Sequence, residues 1–229
     1  MTPIKALIWD LDGTLIHFKI NSIKARRKSL KLLQQYGMPK NIVSIERSII
    51  ENVGVARNYF NDLGYSPSKI NQILKEVNEV VIAVEKEAAD KASLIEGIDE
   101  VLEFAKAQKL KQAIFTYNTH QNTLISLQKT KIEHYFDVIA GRDDVNTLKP
   151  HPDHLTYICD KLNVLFEEAV IIGDTSKDIE AALNVGCYSI ALETHIPIFI
   201  NRDLFSKANK IIKPEDIPSG LIETLKEFL

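Results

Sequence analysis

The run from Ile4 to Trp9 is apolar, of strand length, and followed by a turn at Gly13. It predicts a buried strand. From about 17 to 93 the apolar spacing is helical. Ile42, Ile45, Ile49, Ile50 and Val53 share one helix face, with Gly54 placed to end that helix. Ser66-Pro67 reads as an N-cap with proline at the first helical position, and Ile70, Ile73, Leu74, Val77, Val81 and Val84 form the stripe of the helix that follows. From about 94 the period switches back and forth. A helix at 98–107, a strand from Gln112 to Thr116, another helix and a short strand from Asp137 to Ala140 come in turn. Pro152 opens a helix carrying Leu155, Ile158 and Leu162. A strand from Ala169 to Gly173, a helix at 177–185 and a strand from Cys187 to Leu192 follow, and Ile211-Ile212 predicts a last short strand before a C-terminal helix.

Alternating strands and helices imply an α/β fold, a doubly wound parallel sheet with helices on both faces. The all-helical block interrupts it after the first strand. The expected organisation is therefore an α/β core of residues 1–16 and 94–229 with an inserted helical domain at 17–93.

Composition narrows the partners. The 229 residues are 45% hydrophobic and 26% charged, with a formal net charge of -3 and a pI of about 6.1. That balance speaks against a general nucleic-acid or membrane binder. Cys159 and Cys187 make neither a disulfide framework nor a metal-type spacing. The first residues lead straight into a strand, and no apolar run is long enough to span a bilayer. The expected setting is cytoplasmic with reduced thiols.

In open parallel sheets, ligands bind beyond the carboxyl ends of the strands, and the polar residues collect there. The first strand runs into Asp10 and Asp12, the second into Thr116-Tyr117-Asn118, and "IIGDTSKD" brings Asp174 with Asp178 four residues on. Lys149 lies in the proline-flanked loop "LKPHP". A parallel sheet gathers these carboxylates, a hydroxyl and an ammonium in one crevice. Carboxylates so crowded need a cation, and oxygen ligands without His or Cys favour Mg²⁺. Such a cation takes one or two carboxylates together with a substrate phosphate. A carboxylate can also attack phosphorus, and a second one nearby can give a proton to the leaving oxygen and then take one from water. With Leu11 on the opposite side, Asp10 and Asp12 can face the same site, and Gly13 lets the chain turn away.

"DLDGT" (10–14), Thr116 after an apolar strand, Lys149 in "KPHP" and "GDTSKD" (173–178) occur in that order. By these motifs the chain resembles the haloacid dehalogenase-like superfamily, and within it the phosphoglycolate phosphatase and β-phosphoglucomutase-like members. The resemblance covers nearly the whole chain. It implies a Rossmann-like core with a helical cap between the first and second motifs, here the block at 17–93. It implies Asp10 as nucleophile and Asp12 as acid/base. It also implies a Mg²⁺ site from the Asp10 carboxylate, the Asp12 backbone carbonyl and Asp174, supported by Asp178, with Thr116 and Lys149 on the phosphoryl group. Asp12 itself favours a phosphate ester over other substrates of such proteins. Asn118 is a further substrate-binding candidate, displaced by Tyr117 from the place directly after Thr116 where many members carry Asn. Gly54 and Arg57 match a Gly-x-x-Arg spacing that faces substrate in some members. The other reading of Arg57 is a surface arginine after a helix end.

The resulting expectation is a Mg²⁺-dependent phosphatase for a small phosphorylated metabolite, acting through an aspartyl-phosphate as a monomer or homodimer without nucleic-acid or membrane partners. The alternatives are a sugar-phosphate phosphomutase using the same aspartates, and a non-catalytic binding protein on this scaffold.

Overall fold

The computed structural model describes residues 2–17, 19–193 and 201–229. In chain order the elements are β1 (Ala6–Trp9), α1 (Ser22–Gln35), α2 (Ile49–Asp62), α3 (Pro67–Ala89), α4 (Ile98–Ala107), β2 (Lys111–Phe115), α5 (His120–Thr130), β3 (Val138–Ala140), α6 (Pro152–Leu162), β4 (Ala169–Gly173), α7 (Ser176–Val185), β5 (Tyr188–Leu192), α8 (Arg202–Phe205), β6 (Lys210–Ile212) and α9 (Ser219–Lys226). They form two compact units, Met1–Lys19 with Lys91–Leu229, and Ile20–Asp90.

In the larger unit the described strands make a six-stranded sheet, ordered β3-β2-β1-β4-β5-β6, with every neighbouring pair parallel. β1 shows why helices cover both faces. Its side chains alternate between two apolar clusters. Leu7 and Trp9 pack with Val101 and Leu102 of α4 and Leu221 and Leu225 of α9. Ala6 and Ile8 pack with Leu155 and Ile158 of α6 and Ala181 and Ala182 of α7. A strand apolar on both faces has no side to offer water, so it takes the middle of a sheet sandwiched between helices. Each fully buried Leu, Ile or Trp here contributes about 1.5–3 kcal/mol relative to exposure. The order in which strands are laid down reverses between β1 and β4. That switch point leaves a crevice beyond their carboxyl ends.

Backbone and side-chain bonds fasten the segments that leave and re-enter this unit: His17 N–H donates to Ser93 O at 3.0 Å, Ile95 N–H to Leu15 O at 3.0 Å, and Lys19 Nζ to Lys91 O at 3.0 Å and Ser93 Oγ at 2.7 Å.

The smaller unit is built from α1, α2 and α3. Its core joins Leu33, Ala56, Phe60, Ile70, Ile73, Leu74 and Val77. α3 starts as the sequence predicts, with Ser66 accepting from Lys69 N–H and Pro67 in the first turn. α2 differs from expectation. It begins only at Ile49 and runs through Gly54 to Asp62. Ser48 and Glu51 form a capping box, each side chain accepting from the other's backbone N–H at 3.1 Å and 2.7 Å. That reciprocal pair sets the start of the helix. Gly54, exposed in its interior, costs about 1 kcal/mol against alanine and does not end it.

Candidate active site

β1 stops at Trp9, but the ladder continues for one more bond, from Asp10 N–H to Ile172 O at 2.9 Å. Asp10 is thereby fixed at the crevice, buried, with its carboxylate accepting from Lys149 Nζ at 2.5 Å. The same ammonium donates to Asp178 Oδ1 at 2.7 Å and to Phe115 O at 3.2 Å. Asp178 accepts through its other oxygen from Thr175 N–H at 2.9 Å and the Thr175 hydroxyl at 2.6 Å. This is the capping box that opens α7. Asp174, directly after β4, completes the group: one carboxylate oxygen each from Asp10, Asp174 and Asp178 lie within 4.8 Å of one another.

Two glycines make room. Gly13 turns the chain at φ +89°, and a Cβ there would stand 2.2 Å from Asp174 Oδ2. Gly173 lets Asp178 fold beneath the end of β4, where a Cβ would meet Asp178 Cγ at 2.4 Å.

Three buried carboxylates face one ammonium, an excess of two negative charges. Burial, aided by the charges of Asp10 and Asp178, pushes the Asp174 carboxyl up to about 8. Burial also raises Asp10, to about 6, with Asp178 adding to the rise and Lys149 holding it back. For Lys149 burial favours the neutral amine, but Asp10 and Asp178 outweigh it and hold the ammonium above the usual lysine range. The donor set is oxygen only, and Asp174 accepts only a long bond, from the Thr14 hydroxyl at 3.4 Å, among its described side-chain partners. A hard divalent cation fits both the chemistry and the charge of such a set.

The remaining candidates fall around this group. Asp12 is half-buried, and its carboxylate accepts from Asn118 Nδ2 at 2.5 Å. Thr116 is buried at the end of β2, its N–H continuing the ladder to Ala140 O at 3.1 Å, and its hydroxyl accepts from Asn118 N–H at 3.1 Å. The structure therefore brings Asp10, Asp174, Asp178 and Lys149 into one cluster and links Asp12 to Thr116 through Asn118. Arg57 lies in the other unit, exposed on α2, where its guanidinium donates to Asn71 Oδ1 at 3.2 Å.

The haloacid dehalogenase-like hydrolase family matches residues 7–192, which span every one of the site motifs. The chain belongs to the haloacid dehalogenase-like hydrolases. It is 29% identical over 229 residues to a phosphorylated carbohydrates phosphatase of Thermotoga maritima, covering 97% of this chain and all of that one. It is 29% identical over 190 residues to a phosphoglycolate phosphatase of Thiobacillus denitrificans, covering 81% of each. Among solved structures, β-phosphoglucomutase from Clostridium difficile shares the fold, with a TM-score of 0.68 at 20% identity over 98% of both chains.

This hydrolase carries neighbours of the cluster to which the sequence assigns no role in the site. Thr14 reaches Asp174. The Tyr117 hydroxyl donates to Lys149 O at 2.5 Å. His154 is completely buried, with Nδ1 accepting from Lys149 N–H at 3.4 Å and Nε2 at 3.0 Å from Ala140 O. Burial drives the His154 imidazole down to about 4, keeping it neutral. Thr14 was within reach of sequence reasoning, since it ends the "DLDGT" motif. His154 carried the signal of apolar neighbours at i+1 and i+4, Leu155 and Ile158. Both cysteines are free and buried, and burial lifts the Cys159 thiol to about 12, far from a reactive thiolate. No helix among the described residues is long and apolar enough to cross a membrane.

Proposed function

We propose that this hydrolase is a Mg²⁺-dependent phosphatase of a small phosphorylated metabolite, of the phosphorylated-carbohydrate class, working through an aspartyl-phosphate. The observation that carries the proposal is the Lys149 ammonium bridging Asp10 and Asp178 beside Asp174, at the carboxyl ends of adjacent strands. The chemistry divides among the chain's own groups. An Asp10 carboxylate oxygen attacks phosphorus, and the bond to the leaving oxygen breaks as Asp12 gives that oxygen a proton. Asp12, again ionised, takes a proton from the water that attacks the phosphorus of the aspartyl-phosphate, which frees inorganic phosphate and restores Asp10. Lys149 and the Thr116 hydroxyl balance the charge on the phosphoryl oxygens. Asn118 orients Asp12 in this scheme through the bond to its carboxylate. Asp10, the Asp12 carbonyl and Asp174, with Asp178 behind them, would hold the Mg²⁺. When bound, the ion supplies positive charge that lets the carboxylates stay ionised and draws negative charge off the phosphoryl group.

The substrate class rests on the 29% identical phosphorylated carbohydrates phosphatase, matched along its whole length. A cytoplasmic setting is part of the proposal and rests on the two buried free thiols. The test is phosphate release from a panel of sugar phosphates and phosphoglycolate with Mg²⁺, with chelator, and with Asp10→Asn. Turnover is expected only for the wild type with metal. Undiminished rates with chelator or in the folded variant would overturn the scheme. Isomerisation of a phosphosugar without phosphate release would select a phosphomutase instead.

A further inference from the structure

Lys149 sits in a stretch with no strand or helix of its own, between β3 and α6. No ladder sets its position, so other residues must. Its N–H donates to His154, and the carbonyl of the next residue, Pro150, accepts from Asn184 Nδ2 at 3.0 Å. Its own carbonyl accepts from the Tyr117 hydroxyl at 2.5 Å. We propose that Tyr117 is the positioning residue for Lys149, its hydroxyl fixing the lysine backbone so that the ammonium reaches Asp10 and Asp178. The proposal rests on the phosphatase reading and deepens it.

Tyr117 is suited to this because it is itself held at the backbone. Its carbonyl accepts from the Arg142 guanidinium at 2.7 Å, and the carbonyl of Asn118 accepts from Arg142 N–H at 2.8 Å. The rigid ring then carries the hydroxyl across to the lysine loop. Tyr117 is 42% exposed, so its covered surface and its hydroxyl bond to the lysine loop together set where the side chain lies. The ring also flanks the ammonium, with Nζ 5.2 Å from its centroid and 4.3 Å from that of Phe115, and both aromatic faces favour the cation. Tyr117 directly follows Thr116. It thus ties the strand end that carries Thr116 to the loop that carries the lysine, and so fixes the spacing between the two groups assigned to the phosphoryl oxygens.

Tyr117→Phe separates the hydroxyl from the ring. With an aryl phosphate and Mg²⁺, kcat is expected to fall about 2- to 10-fold, the range of one hydrogen bond, with KM little changed. Vanadate affinity, measured by calorimetry, should weaken by a similar factor. In a Lys149→Ala background the same substitution should change vanadate affinity no further, because the hydroxyl acts through the lysine. Unchanged kcat and vanadate affinity in Tyr117→Phe, or an equal further loss in the Lys149→Ala background, overturns the proposal. If the wild type hydrolyses no ester at all, the phosphatase reading falls, and the vanadate affinities of the four proteins still decide the role of Tyr117. Absence of vanadate binding by the wild type overturns both.

Discussion

Replacing Asp174 by asparagine should stabilise the metal-free protein while removing its activity. In the fold the Asp174 carboxyl is raised from 3.8 to about 8 by burial and by Asp10 and Asp178. An unfolded chain ionises the same group at its ordinary value. Between these two values the native state binds the extra proton, so stability falls as pH rises from about 4 to about 8 and levels off above. At pH 7 the separation from 3.8 corresponds to at most about 4 kcal/mol. Asparagine keeps the shape and never ionises, and the side-chain bond at risk among the described residues, from Thr14, is 3.4 Å long. The expected gain in chelator at pH 7 is therefore about 1–4 kcal/mol, or roughly 2–16 °C in Tm for a chain of this size. Urea denaturation followed by circular dichroism, with chelator at pH 5 and pH 8, measures it, and the advantage of the variant should widen toward pH 8. With saturating Mg²⁺ the order should reverse, because only the wild type gains the full linkage to metal. A variant no more stable than the wild type in chelator at pH 8 would refute the charge argument.

Asp12→Asn should slow turnover by about 10²–10⁴-fold while leaving vanadate binding in place, since it removes proton transfer and not the phosphoryl groups; a rate within a factor of a few of wild type would reassign Asp12. His154, held neutral by burial with its pKa lowered from 6.5 to about 4, makes the fold lose stability as pH falls from about 6.5 through about 4, by about 3 kcal/mol. The acid limb of a urea-midpoint profile should show this slope, and His154→Gln should flatten it. Gly13→Ala should cost at least about 1–3 kcal/mol and most activity, because φ is +89° and the new methyl would strike Asp174; a fully active, equally stable variant would contradict the close approach. On the substrate-facing reading of Arg57, Arg57→Ala raises KM for a phosphorylated carbohydrate and spares a small aryl phosphate, whereas on the surface reading, with Arg57 tied to Asn71, kinetics with both stay unchanged.

The core strands could be read from the sequence because they are apolar on both faces, and a run such as Ala169–Gly173 has no other comfortable place. The crevice followed from parallel topology, which brings strand ends together whatever loops lie between. The helical spacing extends back through Ile42 and Ile45, ahead of the true start of α2, and the deciding signal is the Ser48 and Glu51 pair. Partner choice was less legible. Nothing local to Asn118 says that its amide reaches a carboxylate 106 residues away. The hydroxyl of Tyr117 meets a loop backbone whose path depends on His154 and Asn184. Contacts of that kind follow from loop conformation, and hydrophobic periodicity carries no record of it.

The backbone bond between His17 and Ser93 also bears on how the chain assembles. β1 must find β2, so that Ala6 pairs with Lys111, across the whole of the helical unit. Long excursions slow folding when the ends must search for each other. Here the departure and return of the chain face one another as an antiparallel bridge at Ile16 and Leu94. Once that contact forms, the sheet experiences a short connection, and the cost of enlarging the excursion grows only as the logarithm of its length. Residues 20–90 can therefore change in size and sequence at little cost to the sheet. The position after the first aspartate motif becomes a socket for inserted chain of varied length, while Asp10, Asp174, Asp178 and Lys149 keep their places.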